Sequence, residues 1–240
     1  MNTAIIFAGG TGSRMNAGGI PKQFLELNGK PIIIYTLEHF EHHPEIDSIA
    51  VVCIEDWIER FRKMLDRFEI HKVKWIVPGG KTSQESTRNG LYAVAADQNP
   101  SETVVLIHDG VRPLINEKLI TDNIASVKTY GNAITTAPAI ETIITCEDGN
   151  EVLSVIDRNV CRVARAPQSF YLSDIISMHE RAIADGYDEM IDSATLFMHY
   201  GVKLHIVEGP SENIKITTPS DYFLFKGMLE IQSNMLILGV

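Results

Sequence analysis

The chain has 240 residues, of which 45% are hydrophobic and 22% are charged, as in an ordinary globular protein and unlike a disordered one. Its formal net charge of -10 argues against a general nucleic-acid surface, because binding to backbone phosphates requires clustered Lys and Arg. At this length we expect a single domain over residues 1–240.

The sequence favours a cytoplasmic protein. No stretch approaches the roughly 20 apolar residues that a membrane span needs, and residues 1–7 lack the basic start and long apolar stretch of a secretory signal. Cys53, Cys146 and Cys161 form no C-x-x-C pair, which suits a reducing compartment and gives no zinc signature. We interpret all three as packing residues, and we expect neither a membrane nor a nucleic-acid partner.

Short β-branched apolar runs alternate with amphipathic stretches along the chain. The runs that predict buried strands are residues 4–7, 49–54, 74–77, 103–107 and 133–136. Residues 56–68 and 86–96 repeat apolar side chains at helical spacing. This alternation predicts an α/β fold of Rossmann-like type, with a mostly parallel sheet and helices on both faces. Ligands bind at the carboxyl ends of such strands, so we expect the site in the loops after Phe7, Val77 and Ile107.

Two later segments differ from the rest of the chain in their pattern of polar and apolar residues. Residues 139–162 alternate polar and apolar side chains around a turn at 147–150, which predicts a protruding β-hairpin arm. The apolar residues 235–240 predict either a tucked strand or a contact with a partner.

A glycine-rich loop carries the strongest local signal for a ligand. Residues 8–15 read Ala-Gly-Gly-Thr-Gly-Ser-Arg-Met, and Pro-Lys-Gln follows at 21–23. Glycines let backbone N–H groups approach phosphate oxygens, and Arg14 and Lys22 supply a cation at each end of the loop. Without these two cations a purely structural turn would be the better interpretation. The loop has neither the G-K-[ST] ending of a P-loop nor the G-x-G-x-x-G spacing of dinucleotide folds.

Four further motifs follow in order along the whole chain. They are Gly79-Gly80 with Glu85-Ser86, His-Asp-Gly-Val-Arg-Pro at 108–113, Asp157-Arg158 with Pro167-Gln168, and Asn-Ile-Lys-Ile-Thr at 213–217. Together with the glycine loop, this set resembles the cytidylyltransferases that act on methylerythritol phosphate or ribitol phosphate.

The resemblance implies that CMP is transferred from CTP to a polyol phosphate and that pyrophosphate is released. Arg14, Lys22 and Lys215 would be catalytic, because the two anionic reactants must be brought together and their charge neutralised. The implied CTP site comprises Ala8, Gly9, Gly10, Thr11, Gly12, Ser13, Gly80, Lys81, Ser86, Asp109 and Gly110. The implied acceptor site comprises Asp109, Arg112, Thr142, Arg158 and Lys215. Mg²⁺ would bind mainly through the CTP phosphates, without a metal site of protein side chains.

The resemblance also implies a homodimer, in which the arm carries Thr142 and Arg158 to the acceptor site of the partner subunit. If the arm does not cross, Arg158 is only a surface cation beside Asp157. Two other assignments have structural alternatives. Asp109 could serve as the loop-stabilising partner of Arg112, and Ser86 could be the N-cap of the helix that follows it.

We do not interpret the histidines as metal ligands. His39, His42 and His43 lie at a predicted helix end without a convergent acid, and a lone His108 at a strand end is more often a hydrogen-bonded core residue.

The identity of the polyol phosphate that accepts CMP is the property that the sequence determines least. The family usually has Arg at the position of Ser83, Thr at Ala166 and a second acid at Ser193, and each lies near the expected substrate pocket. These departures favour a changed acceptor or a lower rate, and they motivate the alternative of an inactive nucleotide-binding homologue. The spacing of residues 15–21, Val111 and Trp57 resemble the ribitol-phosphate branch, whereas residues 155–158 resemble the methylerythritol-phosphate branch. We predict ribitol 5-phosphate as the acceptor by a small margin, with methylerythritol phosphate as the alternative.

Overall fold

The computed structural model describes residues 1–10, 19–187 and 190–238. The strands are β1 Asn2–Ala8, β2 Glu26–Leu27, β3 Lys30–Pro31, β4 Ser48–Cys53, β5 Val73–Pro78, β6 Val104–Asp109, β7 Asn132–Pro138, β8 Ile143–Thr145, β9 Ser154–Ile156, β10 Arg162–Tyr171 and β11 Ile206–Glu208. The α-helices are α1 Ile32–Glu41, α2 Ile58–Arg67, α3 Ser83–Ala95, α4 Glu117–Tyr130, α5 Leu172–Ala184, α6 Ser193–His199 and α7 Pro219–Leu238. Short 3₁₀ turns lie at Lys22–Phe24, Glu55–Trp57 and Arg158–Val160.

Within the described residues a seven-stranded sheet has the order β11-β7-β10-β6-β1-β4-β5. Strand β10 runs antiparallel to β6 and β7, and the other neighbouring strands are parallel. The predicted, mostly parallel α/β sheet is confirmed. Strands β1 and β6 lie side by side, with Phe7 opposite Asp109, so their carboxyl ends lie at the same edge of the sheet.

Alternate side chains of the central strands pack on opposite faces, as the period of two in a strand requires. Ala4 and Ile6 of β1 are fully buried with α1, α2 and α4, whereas Ile5 is fully buried on the other face with α3 and α5. Near-continuous apolar runs arise because helices cover both faces of these strands. The prediction that helices cover both faces of the sheet is therefore confirmed.

Of the predicted arm, residues 139–161 leave the sheet and contain an antiparallel pair, β8 with β9, whereas Arg162 begins β10 and pairs with Pro138 of β7. The turn between them includes Gly149 with φ +82°, a conformation that glycine adopts at no steric cost. Large apolar side chains of this segment are exposed to solvent, and they include Ile140, Val152, Leu153, Val155 and Val160.

The C-terminal prediction of a tucked strand was wrong. Helix α7 runs to Leu238, and Phe225 in this helix is fully buried against residues of α1. No helix of the described residues is both long enough and apolar enough to cross a membrane. The interpretation of the cysteines as packing residues holds for buried Cys53 and is wrong for Cys146, which is exposed.

Candidate active site

The turn after the glycine loop is fixed to the end of β1. The Gln23 amide is buried, and its Nε2 donates to the carbonyl oxygen of Ala8 at 2.5 Å. Lys22 consequently lies beside the start of the loop and lines the same cleft as Gly9 and Gly10. The remaining predicted loop residues, Thr11, Gly12, Ser13 and the catalytic candidate Arg14, lie outside the described residues.

The opposite wall of this cleft is the start of α3. Thr82 is the N-cap of α3, since its Oγ1 accepts the N–H of Glu85 at 3.0 Å, and Glu85 Oε2 accepts the N–H of Lys81 at 2.6 Å. The capping alternative for Ser86 was therefore wrong. The hydroxyl of Ser86 instead donates to the Thr82 carbonyl oxygen and accepts the N–H of Gly80, both at 2.9 Å. These bonds hold the loop between β5 and α3 in one conformation.

Asp109 stands where β6 ends and pairs with two cations. Its Oδ1 lies 2.7 Å from Lys215 Nζ, and its Oδ2 lies 2.8 Å from Arg112 Nε. Burial raises the pKa of Asp109, but Lys215 and Arg112 outweigh that effect and lower the pKa to about 2. The predicted pairing with Arg112 exists, and the contact with Lys215 adds a second cation that the sequence analysis did not pair with Asp109.

Backbone contacts bring the motif at 213–217 next to the motif at 108–113. The N–H of Ile216 donates to the Val111 carbonyl oxygen at 2.9 Å, and Arg112 Nη1 donates to the Asn213 carbonyl oxygen at 2.8 Å. Asn213 is fully buried, and its Nδ2 donates to the carbonyl oxygen of Ala166 at 2.7 Å. Lys215 is thus held at the cleft by a segment that is distant in sequence.

Most of the predicted residues that the structure describes lie together. One cleft is lined by residues that include Ala8, Gly9, Gly10, Lys22, Gly80, Lys81, Ser86, Asp109 and Lys215, and we call it the nucleotide cleft after the role that the sequence resemblance implies. A second hollow adjoins it and is lined by residues that include Arg112, Gln84, Thr87, Gln168, His179 and Ser193; we call it the acceptor cavity for the same reason. Phe7, Ser83, Asp109 and Lys215 border both. The predicted grouping at the carboxyl ends of β1, β5 and β6 is therefore what the structure shows.

Among the predicted site residues that the structure describes, three line neither hollow. Gly110 is buried behind the nucleotide cleft, where a Cβ atom would lie 2.9 Å from the Phe7 carbonyl oxygen. Thr142 and Arg158 are exposed on the arm. Arg158 Nη1 donates to the Ile140 carbonyl oxygen at 2.9 Å, a contact within the arm itself.

The comparisons with known proteins identify the family. The family model described as IspD, 2-C-methyl-D-erythritol 4-phosphate cytidylyltransferase, matches residues 2–230. The chain belongs to this family. The predicted enzyme class, a cytidylyltransferase among the nucleotidyltransferases, is confirmed by the same match.

Individual relatives fall into two groups by name. The ribitol-5-phosphate cytidylyltransferase of Vibrio parahaemolyticus is 52% identical over 239 residues, and the match covers 100% of each chain. The 2-C-methyl-D-erythritol 4-phosphate cytidylyltransferase of Clostridium botulinum is 38% identical over 229 residues, covering 95% of this chain and 97% of the relative. The crystal structure of 4-diphosphocytidyl-2C-methyl-D-erythritol synthase from Anaerococcus prevotii is 27% identical with a TM-score of 0.81, covering 95% and 96% of the two chains.

Two buried amides, Gln84 and Gln168, line the acceptor cavity of this cytidylyltransferase. The sequence analysis named Gln168 only within a motif, without a role, and it did not name Gln84. Gln84 Oε1 accepts the N–H of Met190 at 3.0 Å, and Gln168 Oε1 accepts the N–H of Ala194 at 2.9 Å. Gln168 Nε2 also donates to Asp192, the N-cap of α6. Ser83, Ala166 and Ser193 all line this cavity. These are the three positions at which the chain departs from the family pattern. No apolar pattern marked Gln84, because it lies in the polar first turn of α3 and the next buried residue of that helix, Thr87, is polar too.

Three of the histidines considered as metal ligands, His39, His43 and His108, make structural contacts in the cytidylyltransferase. His39 Nε2 lies 2.9 Å from the Pro113 carbonyl oxygen, and His43 Nε2 lies 3.1 Å from Thr121 Oγ1. His108 Nε2 lies 3.1 Å from the Arg112 carbonyl oxygen, and burial lowers its pKa to about 4. Across residues 1–10, 19–187 and 190–238, no three His, Cys, Asp or Glu side chains are grouped to hold a metal ion.

Proposed function

We propose that this enzyme transfers CMP from CTP to D-ribitol 5-phosphate and releases pyrophosphate. The observation that carries the choice of acceptor is identity over the full length. Relatives named ribitol-5-phosphate cytidylyltransferase from Vibrio parahaemolyticus and Streptococcus agalactiae are 52% and 49% identical to this chain, and one from Lacticaseibacillus paracasei is 40% identical. The Clostridium botulinum relative named for methylerythritol phosphate is 38% identical. Methylerythritol phosphate is the second candidate acceptor, favoured by the description of the matching family model.

In the proposed reaction a phosphate oxygen of the polyol attacks the α-phosphorus of CTP in line. A new P–O bond forms as the bond to the leaving pyrophosphate breaks, and no protein nucleophile takes part. Two anions must approach each other, so the protein has to neutralise charge and fix orientation. Lys22 and Lys215, which line one cleft with Gly9, Gly10 and Gly80, fit that requirement. We assign the same role to Arg14.

Asp109 is proposed to bind a hydroxyl group and to hold Lys215 in place. Both of its carboxylate oxygens are engaged by cations, and it lies on the wall shared by the two hollows. A carboxylate that stays charged to about pH 2 can accept a hydroxyl hydrogen bond without becoming protonated. Arg112 stays paired with Asp109 and contributes a further positive charge beside the acceptor.

Mg²⁺ is proposed to bind mainly through the CTP phosphates. Asp109 is the one carboxylate that lines the nucleotide cleft among its described residues, and two cations already occupy its oxygens. These residues suit an ion held by phosphate oxygens and water more than a cage of protein ligands. When bound, the ion supplies charge compensation on the phosphates.

A homodimer through the arm, acting in the cytoplasm, completes the proposal. Two features of the arm support it. Thr142 and Arg158 border neither hollow of their own subunit, so a role in catalysis requires another subunit. Exposed apolar side chains such as Val155 and Val160 are the kind of surface that association buries.

Pyrophosphate release measures the proposed function directly. Purified protein is incubated with CTP, Mg²⁺ and either ribitol 5-phosphate or 2-C-methyl-D-erythritol 4-phosphate. We expect turnover with ribitol 5-phosphate and much less with the second acceptor. Turnover with methylerythritol phosphate alone would contradict the proposed acceptor, and tight CTP binding without turnover on either would establish an inactive homologue.

A further inference from the structure

The acceptor cavity contains a buried imidazole without a hydrogen-bond partner. His179 of α5 lines the cavity and is 2% exposed, and neither Nδ1 nor Nε2 has a partner within the described part of the chain. Unpaired buried polar atoms are rare in folded proteins and carry a desolvation cost. A group that binds in the cavity and pairs with the ring would remove that cost.

The charge state of His179 indicates the chemistry of that group. Burial, followed by the positive charge of Arg88, lowers the pKa of His179 to about 4, so the ring is neutral near pH 7. A neutral imidazole offers one donor and one acceptor. That pair matches an alcohol hydroxyl, which also has one donor and can accept, and it does not match a phosphate dianion.

Helix α3 shows which end of an acceptor would reach His179. Ser83, at the start of α3, borders both hollows, whereas Thr87, about one helical turn further along, borders only the acceptor cavity. Arg88, whose charge acts on His179, comes next along the same helix. The acceptor phosphate must face CTP at the shared wall, so the carbon chain extends along α3 away from that wall.

We infer that His179 hydrogen-bonds the acceptor hydroxyl that lies farthest from the phosphate, and that it sets the preference for a hydroxylated five-carbon chain. The inference rests on the proposed function and adds a specificity residue to it. His179 binds the acceptor and takes no part in the transfer of CMP.

The test compares two acceptors that differ by one hydroxyl. Ribitol 5-phosphate and 1-deoxyribitol 5-phosphate are each assayed with the wild type and with His179→Leu. We expect the wild type to prefer ribitol 5-phosphate by roughly tenfold or more in kcat/KM, because the analogue leaves the ring unpaired. In His179→Leu the preference should fall to within about twofold, with the KM for CTP unchanged.

Stability separates this role from a structural one. His179→Leu removes two unpaired nitrogens, so its thermal unfolding midpoint should equal or exceed that of the wild type. His43→Leu is the matched control, because His43 is equally buried at 2% but its ring is hydrogen-bonded to Thr121. This control should lower the midpoint and keep the preference. His179→Phe, which retains a ring without polar atoms, serves as a second variant.

The outcomes of the test are distinct. A wild type that uses the two acceptors equally, as it would if only solvent paired with the ring, overturns the inference and leaves the proposed function intact. A preference that survives in both His179 variants also overturns it. No turnover of ribitol 5-phosphate by the wild type contradicts the proposed function and the inference together.

Discussion

Lys215 Nζ lies 2.7 Å from Asp109 Oδ1, which joins the segment before the last helix to the carboxyl end of β6. The same carboxylate pairs with Arg112 through its other oxygen. One acid therefore aligns two cations at the wall that the nucleotide cleft and the acceptor cavity share. The pairing is electrostatic, so it should respond to pH in a direction that the pKa of Asp109 fixes.

Asp109→Asn should lose a contribution to stability that depends on pH. The pKa of Asp109 is lowered from 3.8 to about 2, so its charged form stabilises the fold above pH 4 and this contribution disappears as the pH falls towards 2. A shift of this size corresponds to about 2 kcal/mol. In urea unfolding, the difference in unfolding free energy between wild type and variant should narrow as the pH falls from about 4 to about 2. A difference that stays constant with pH would contradict the assignment of the pKa.

Lys22→Ala should lower kcat by about two to three orders of magnitude, because one cation is lost where negative charge develops in the transition state. The thermal unfolding midpoint should change little. Lys118→Ala is the control, since Lys118 is an exposed cation on α4 paired with Asp122. Pyrophosphate release measures both variants. Near-normal turnover in Lys22→Ala would remove this lysine from the mechanism.

Ser86→Ala should weaken binding of CTP by several-fold and leave the KM for the acceptor unchanged. The variant removes the partner of the Gly80 N–H, so the loop between β5 and α3 loses a bond worth about 1 kcal/mol. Thr129→Ala removes a comparable hydroxyl, one that donates to the Ala125 carbonyl oxygen on α4, and should not affect either KM. Titration with CTP gives the comparison directly. Equal effects on the two KM values would show that Ser86 does not act through the nucleotide cleft.

The double variant Val155→Asp, Val160→Asp should be monomeric and should lose most turnover. Charges on these exposed apolar positions of the arm oppose burial in an interface. Ile183→Asp introduces one such charge at an exposed apolar position of α5 and should remain dimeric and active. Light scattering at micromolar concentration reports the mass of each protein. A wild type that is monomeric under these conditions would refute the dimer.

The sheet and the position of the site could be predicted because local sequence determines both. Residues 103–107 are continuous and β-branched, which a strand buried on both faces requires, and β6 forms there. Glycines and cations follow these strands in the sequence. Because the carboxyl ends of parallel strands lie at one edge of the sheet, the loops that carry these residues come together there. The start of α3 was predicted three residues late, because the first turn from Ser83 is polar and its N-cap Thr82 was not recognised.

Contacts between distant segments could not be predicted in the same way. The bond from Gln23 to the Ala8 carbonyl oxygen and the pairing of Lys215 with Asp109 depend on how separate elements pack. His179 was missed for a related reason. On a helix with regular apolar spacing it resembles any other core position, and its unpaired ring nitrogens become visible only in three dimensions.

The two hollows are built from different kinds of structure, and this has an evolutionary consequence. Loops at 8–10 and 79–82 form much of the nucleotide side, whereas side chains of α3, α5 and α6 form much of the acceptor side. On the proposed function, substitutions on those helices would alter which alcohol is accepted and would leave untouched the backbone that is proposed to bind CTP. A single ancestral scaffold could thus diversify towards new sugar alcohols by exchanging a few helical side chains.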